Sequence, residues 1–174
     1  MICDMNLGKW FSEAEREDGS VLKAAISTFN RERNEKNFFT VLQLLHDSNV
    51  WIPCKAVMGK ADQKRLEELV ESLNGDFEKL AGMDFVTLDA TRMIQDILRI
   101  GDARFFLVFS AEEEMGEYGD GFSNVGKSFL EALTLAKNNN NELSGIVVNA
   151  FTEPFVVDRE LWDVVENMKS CLRG

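Results

Sequence analysis

The sequence predicts a single α/β (α+β) domain. A small mixed β-sheet is covered by helices, with an N-terminal helical hairpin and a C-terminal amphipathic helix. Three observations predict this. Phe105–Phe109 and the centre of Gly145–Phe151 are apolar at consecutive positions, the pattern of strands buried on both faces. Segments with apolar residues at helical spacing precede, separate and follow them. The chain has 174 residues, of which 45% are hydrophobic and 28% charged, enough for one core without disulfide or metal support.

The elements follow in order. Residues 1–18 read as a loose N-terminal arm, with Trp10 and Phe11 as its large apolar residues and Glu13, Glu15, Glu17 and Asp18 at its end. The domain proper is 19–174. Val21, Leu22, Ala25, Ile26 and Phe29 mark a first helix. Phe38, Val41, Leu42 and Leu45 mark a second, with Asn34 or Asn37 as N-cap. A polar turn joins them into an αα-hairpin. Val50–Cys54 is a short strand. Pro53 lacks an N–H, which assigns it to an edge or a strand end. Asp62 is placed to cap a charged helix carrying Leu66, Leu69, Val70 and Leu73, ended by Asn74-Gly75. Residues 60–84 as a whole read as an inserted helix.

Phe85–Leu88 is the next strand. Met93, Ile94, Ile97, Leu98 and Ile100 fit neither period, and Gly101-Asp102 is a turn. Phe105–Phe109 is a central strand. Glu112–Glu117 begins a short acidic helix or turn, and Gly119, Gly121 and Ser123 form a flexible loop. Phe129, Leu130, Leu133 and Ala136 mark a helix stopped by the run Asn138–Asn141. After the strand Gly145–Phe151, Thr152-Glu153-Pro154 turns the chain into the short strand Phe155–Val157. Asp158 then caps a final helix with Leu161, Val164, Val165, Met168 and Leu172 on one face.

Composition excludes several functions. Acids outnumber bases 30 to 19, a net charge of −11, which is the wrong sign for nucleic acid or an anionic membrane. The cysteines Cys3, Cys54 and Cys171 are far apart and odd in number, so no disulfide framework is expected. Cys54 reads as a small buried hydrophobe in a reducing, cytoplasmic setting. No apolar run approaches the ~20 residues of a membrane span, and the N-terminus lacks the pattern of a signal peptide. His46 stands alone, which excludes a poly-His zinc site. It is expected to stabilise a helix end by its charge or by a hydrogen bond. No metal and no cofactor are expected.

One string matches a phosphate-binding pattern. Gly121-Phe122-Ser123-Asn124-Val125-Gly126-Lys127-Ser128 satisfies GxxxxGK[ST]. The context argues against it. A P-loop needs a buried strand running straight into the first glycine, and here the strand ends near Ser110. Glu112, Glu113, Glu114, Glu117 and Asp120 intervene and repel phosphate. Gly121, Gly126, Lys127 and Ser128 are therefore set aside as a look-alike, a loop and helix start with Ser123 or Asn124 as N-cap. Arg104–Phe109 resembles the aromatic strand of an RNA-recognition motif but has Phe105 where that motif has glycine. Glu112–Glu114 fan out around a helical turn instead of converging, as in a solvated N-terminal turn.

Several segments share an order and spacing. Val50-Trp51-Ile52-Pro53 follows a helical hairpin. Phe105-Phe106-Leu107-Val108-Phe109-Ser110 precedes Ala111-Glu112-Glu113. Gly145-Ile146-Val147-Val148-Asn149 precedes Pro154-Phe155-Val156-Val157 and a helix. Together they resemble the SseB N-terminal-domain family, named for enhanced serine sensitivity, over about residues 20 to 170. The chain departs from that pattern at Val108 and Ala150, where proline is common, and in residues 60–84. It also leaves no room for the second domain that some members carry. The resemblance implies a bacterial cytoplasmic α/β domain and carries over no catalytic residue.

The function expected from these readings is a non-enzymatic protein-interaction domain whose partner has a basic surface. Trp51, Phe122, Phe151 and Phe155, beside turns, would form a docking patch if exposed. The alternative is a small-molecule binder or enzyme. Its site would lie beyond the carboxyl ends of the strands, where Ser110 and Asn149 stand with Glu113 and Glu153 close by.

Overall fold

The computed structural model describes residues 18–57, 59–74, 78, 92–139 and 142–170. The expected strand Phe85–Leu88, the arm with Trp10 and Phe11, and Cys3, Cys171 and Leu172 lie outside the described residues. The chain divides into two compact units, one formed up to Cys54 and from Gln95 onward, the other from Lys55–Ile94.

In the larger unit, α1 (Ser20–Arg31) and α2 (Glu35–Asp47) form the expected hairpin. Asn34 is the N-cap of α2, its side chain accepting the Asn37 N–H at 2.9 Å. Leu22, Ile26, Val41, Leu42 and Leu45 point into the core. Each such side chain contributes roughly 1.5–3 kcal/mol by leaving water.

β1 (Asn49–Val57) pairs antiparallel with β5 (Ser123–Ser128), from Asn49↔Ser128 to Cys54↔Ser123. The three-stranded order is β2-β1-β5, β2 being Arg92–Gln95. Pro53 is thus interior to its strand and not at an edge or end. The missing N–H is tolerated because the neighbour on that side changes there. Trp51 exchanges both backbone bonds with Phe109 at 2.8 and 2.9 Å, and two residues on the Pro53 carbonyl accepts the Asp96 N–H.

β3 (Ile97–Ile100), β4 (Ala103–Val108), β6 (Gly145–Val148) and β7 (Phe155–Asp158) form a second sheet in that order. β4 and β6 are parallel and the outer pairings antiparallel. The ambiguous stretch 92–100 is two strands with Asp96 between them. Gly101-Asp102 closes the β3–β4 hairpin, with a left-handed φ of 60° at Gly101 that glycine adopts without strain.

β4 is central, as its unbroken apolar run predicts. Phe106 and Val108 pack with Ile146, Val148, Phe155 and Val157 against α1, α2 and α4 (Phe129–Lys137). Leu107 and Phe109 point to the other face, with Val147 and Met115.

Two local expectations are corrected. The string Ser123–Ser128 is a strand, not a loop and helix start, and the N-cap of α4 is Ser128 instead of Ser123 or Asn124. The Ser128 hydroxyl accepts the Glu131 N–H at 3.2 Å while the Glu131 carboxylate accepts the Ser128 N–H at 2.9 Å. At the C-terminus, a 3₁₀ turn (Arg159–Leu161) leads into α5, only Trp162–Glu166 among the described residues. Asp158 makes no side-chain cap. The buried stripe is Trp162, Val165 and Met168, and Val164 is exposed. The initial 3₁₀ turn rotates the face away from the one that ideal α spacing assigns.

In the smaller unit, α3 (Lys60–Ser72) occupies the predicted position. Its N-cap is Gly59. Asp62 lies one turn in, buried, and its carboxylate accepts from Arg65 at 3.1 Å, so it does not cap. Asn74 takes the left-handed φ of 52° expected at the helix end.

Candidate functional site

The carboxyl ends of the parallel strands β4 and β6 are where an α/β sheet leaves a crevice. Ser110 and Asn149 stand there and are both 1% exposed. They are bonded to each other. The Ser110 N–H donates to Asn149 Oδ1 at 2.9 Å, and Asn149 Nδ2 donates to Ser110 Oγ at 2.9 Å. The Asn149 N–H continues the ladder to the Val108 carbonyl at 3.0 Å. Asn149 holds a φ of 54°, which asparagine tolerates better than most residues. A β-carbon on Gly19 would lie 2.1 Å from the Ser110 carbonyl oxygen, so the start of α1 closes over the pair. The two polar side chains bond to each other and are buried, so neither is presented at the surface.

Glu113 and Glu153 both act on a cation that the sequence did not single out. Lys23 of α1 forms a 2.5 Å ion pair with Glu114. Thr152 donates to the other Glu114 oxygen at 2.5 Å. Glu114 is 5% exposed, and burial alone would raise its pKa. The Lys23 and Thr152 hydrogen bonds together with the Lys23 charge outweigh that and hold it below 4.5. Lys23 is raised in turn by its hydrogen bond and attraction to Glu114, with Glu153 and Glu113 adding to the field. Lys23, Thr152 and Gly19 escaped sequence reasoning because their partners are distant in the chain. Glu114 escaped because its neighbours Glu112 and Glu113 are exposed, so the whole run reads as solvated.

The acidic run belongs to a 3₁₀ segment, Glu112–Gly121, bent at Gly116. It lays Met115 and Tyr118 over Phe109. The Tyr118 hydroxyl donates to the Asp96 carboxylate. Tyr118 lies 4.7 Å from both Phe122 and Phe151, and Phe151 stacks on Phe109 at 5.8 Å. Phe151 remains 47% exposed, and Phe122 and Trp51 are partly so. Phe155 is buried between Phe29 and Phe38, and so cannot belong to a docking patch with them.

Gly126, Lys127 and Ser128 line a depression of about 400 Å³ with Asn49, Val50, Trp51 and Glu131. Gly126 lies beneath the Trp51 ring. Backbone groups of this string pair with β1 instead of wrapping a phosphate, so P-loop geometry is absent. A second depression, of about 200 Å³, lies between Trp51 and Asp18, Ala111, Glu112 and Glu113.

His46 lies in the last turn of α2, 8% exposed, and its Nδ1 has no hydrogen-bond partner among the described residues. Burial lowers its pKa more than Asp47 raises it. Burial therefore works against its charge at the end of α2. The helix end is satisfied by Ser48 instead, whose Oγ donates to the Leu44 carbonyl at 2.6 Å. Cys54 is a free, buried thiol raised by burial. Among the described residues, no helix is long and apolar enough to cross a membrane.

These features define the class: a mixed α/β domain, its parallel strand pair capped at the carboxyl end by side-chain bonds and an acidic segment. A family model for the SseB protein N-terminal domain matches residues 22–161. The chain belongs to that family. No curated protein and no solved structure matches it.

Proposed function

We propose that this chain is a non-enzymatic, cytoplasmic protein-interaction domain that engages a partner with a basic surface. The observation that supports this best is at the strand carboxyl ends. The polar pair there is buried and bonded to itself, while exposed aromatic surface sits among exposed acids. Phe151 is 47% exposed, and Glu112, Glu113, Glu117 and Asp120 are all exposed along the adjoining segment. Apolar area supplies affinity and the surrounding charge supplies orientation and on-rate.

The test is affinity capture from cell extract with the whole chain as bait, at low and at high salt. The expected result is a partner of basic isoelectric point, retained at low salt and released at high salt. Its retention falls when Glu117 and Asp120 are replaced by Lys. Recovery of no salt-sensitive partner sinks the reading.

A second reading has one observation in its favour. The depression beside Lys127, Ser128 and Trp51, about 400 Å³, lies in the ~300–1,000 Å³ range of small-molecule sites. Thermal denaturation with ATP, GTP and magnesium tests it. A ligand at a hundred times its Kd adds about 2.7 kcal/mol of stability.

A further inference from the structure

The four-stranded sheet has two faces of very different cover. Its inner face, with Phe106, Val108, Ile146 and Val157, packs on helices. Register fixes what stands on the other. Leu98, Phe105 and Gly145 form one cross-strand row, and Leu107, Val147 and Val156 the next. Alternation adds Ile100 beyond Leu98. At the carboxyl ends of β4 and β6 this outer face is covered by Met115 and Tyr118. It is open towards the other end, where Ile100 is 61% exposed and Leu98 and Phe105 are partly so, and along the β7 edge, where Val156 is 40% exposed. A sheet with a parallel pair at its centre normally carries cover on both faces.

Charge indicates what completes it. Among the described strand residues, no Lys or Arg stands on the outer face, because Arg99 and Arg104 alternate to the inner side. Its margins carry exposed acids: Asp102 beside Ile100, Asp158 in the row of Phe105, and Glu117 and Asp120 either side of Tyr118. We propose that this outer face is the docking surface, and that its occupant is an amphipathic helix of a partner protein, apolar on the side facing the sheet and lysine- or arginine-rich along both flanks. This rests on the interaction reading above and specifies its partner. A helix fits because helices already cover the inner face, and because flanking cations on such a helix reach acids at both margins.

The experiment is fluorescence anisotropy with the whole chain and three labelled peptides of about 18 residues, roughly five helical turns. One is a Leu/Lys amphipathic helix, one its permutation without an apolar stripe, and one the Leu/Glu counterpart. The first is expected to bind at least about tenfold more tightly than either other. The pair Ile100→Ser with Val156→Ser, which removes the exposed apolar side chains at both edges of the face, weakens it about tenfold, while Val164→Ser, exposed on α5, leaves it unchanged. All three sites are exposed, so the variants keep the fold, which circular dichroism checks. Equal binding of the permuted peptide, or equal effects of the outer-face pair and Val164→Ser, overturns the proposal. So does sedimentation showing a dimer that the outer-face pair abolishes, since a second copy is then the occupant. If extract capture succeeds but its partner is insensitive to the outer-face pair, this inference fails and the interaction reading stands.

Discussion

Asn149 combines a left-handed backbone with two buried side-chain bonds to Ser110, and substitutions separate these contributions. Asn149→Gly keeps the backbone at ease and removes only the bonds. Leaving the Ser110 N–H unpaired costs about 1–3 kcal/mol. Asn149→Ala adds roughly 1–2 kcal/mol of left-handed strain. Urea denaturation is expected to rank wild type above glycine and glycine above alanine. Equal stability of the two variants excludes backbone strain as a factor. His46 gives a pH dependence whose sign is fixed. Its folded pKa lies below its ordinary value of 6.5, so the folded state holds the neutral ring and the unfolded chain binds the proton first. The stability it contributes is complete above pH 6.5 and declines as pH falls from there towards the folded pKa. His46→Gln is expected to flatten that limb of the stability profile, measured by chemical denaturation across pH. A single histidine at a helix end was visible in the sequence. That burial would lower its pKa was not, because the residues that bury it are far away in the chain.

At the scale of the element, β5 holds the main lesson. Ser123-Asn124-Val125-Gly126-Lys127-Ser128 has little apolar alternation and a glycine at its centre, so neither period marks it as a strand. It is a strand because β1 lies beside it in register, with Gly126 packed against the Trp51 ring. The same residues hold the capping box of α4. Ser128→Ala is expected to lower stability by about 0.5–2 kcal/mol. Lys127→Ala should change it by less than about 0.5 kcal/mol, because Lys127 is exposed and stands 4.0 Å from Glu131. Thermal melts of both variants check this contrast. A larger effect of the lysine would point to a role for it in the depression beside Trp51. Elements with strong local patterns were legible: α1, α2, α4, β4 and β7 fall where the sequence puts them, while β6 stops at Val148 and the rest of the expected strand, residues 149–151, turns away from the left-handed Asn149. Pro53 was misplaced because a strand interior can hold a proline where its neighbour changes, and that depends on Phe109 and Asp96.

For the whole molecule, the fold class could be read from the order of helices and buried runs, and so could the family. The candidate site was legible only in part. Ser110, Asn149, Glu113 and Glu153 were singled out; the first two bond to each other at the strand ends, and the other two act on Lys23. The role of the first two was not legible, since nothing local tells that their side chains bond to each other across two strands. The net charge of −11 first served only to exclude partners. In the fold, part of it lies along the segment that flanks the exposed aromatics. The bond between Ser110 and Asn149 also bears on how the chain reaches this state. Its two residues are 39 positions apart, and the intervening span holds the 3₁₀ segment, β5 and α4. That loop must be drawn together before the bond can form, and the expectation is that the latch closes late, after the transition state. Asn149→Gly should therefore accelerate unfolding and leave the refolding rate nearly unchanged, a φ-value near zero in stopped-flow kinetics. A refolding rate that slows in proportion to the lost stability would instead put the latch among the first contacts made.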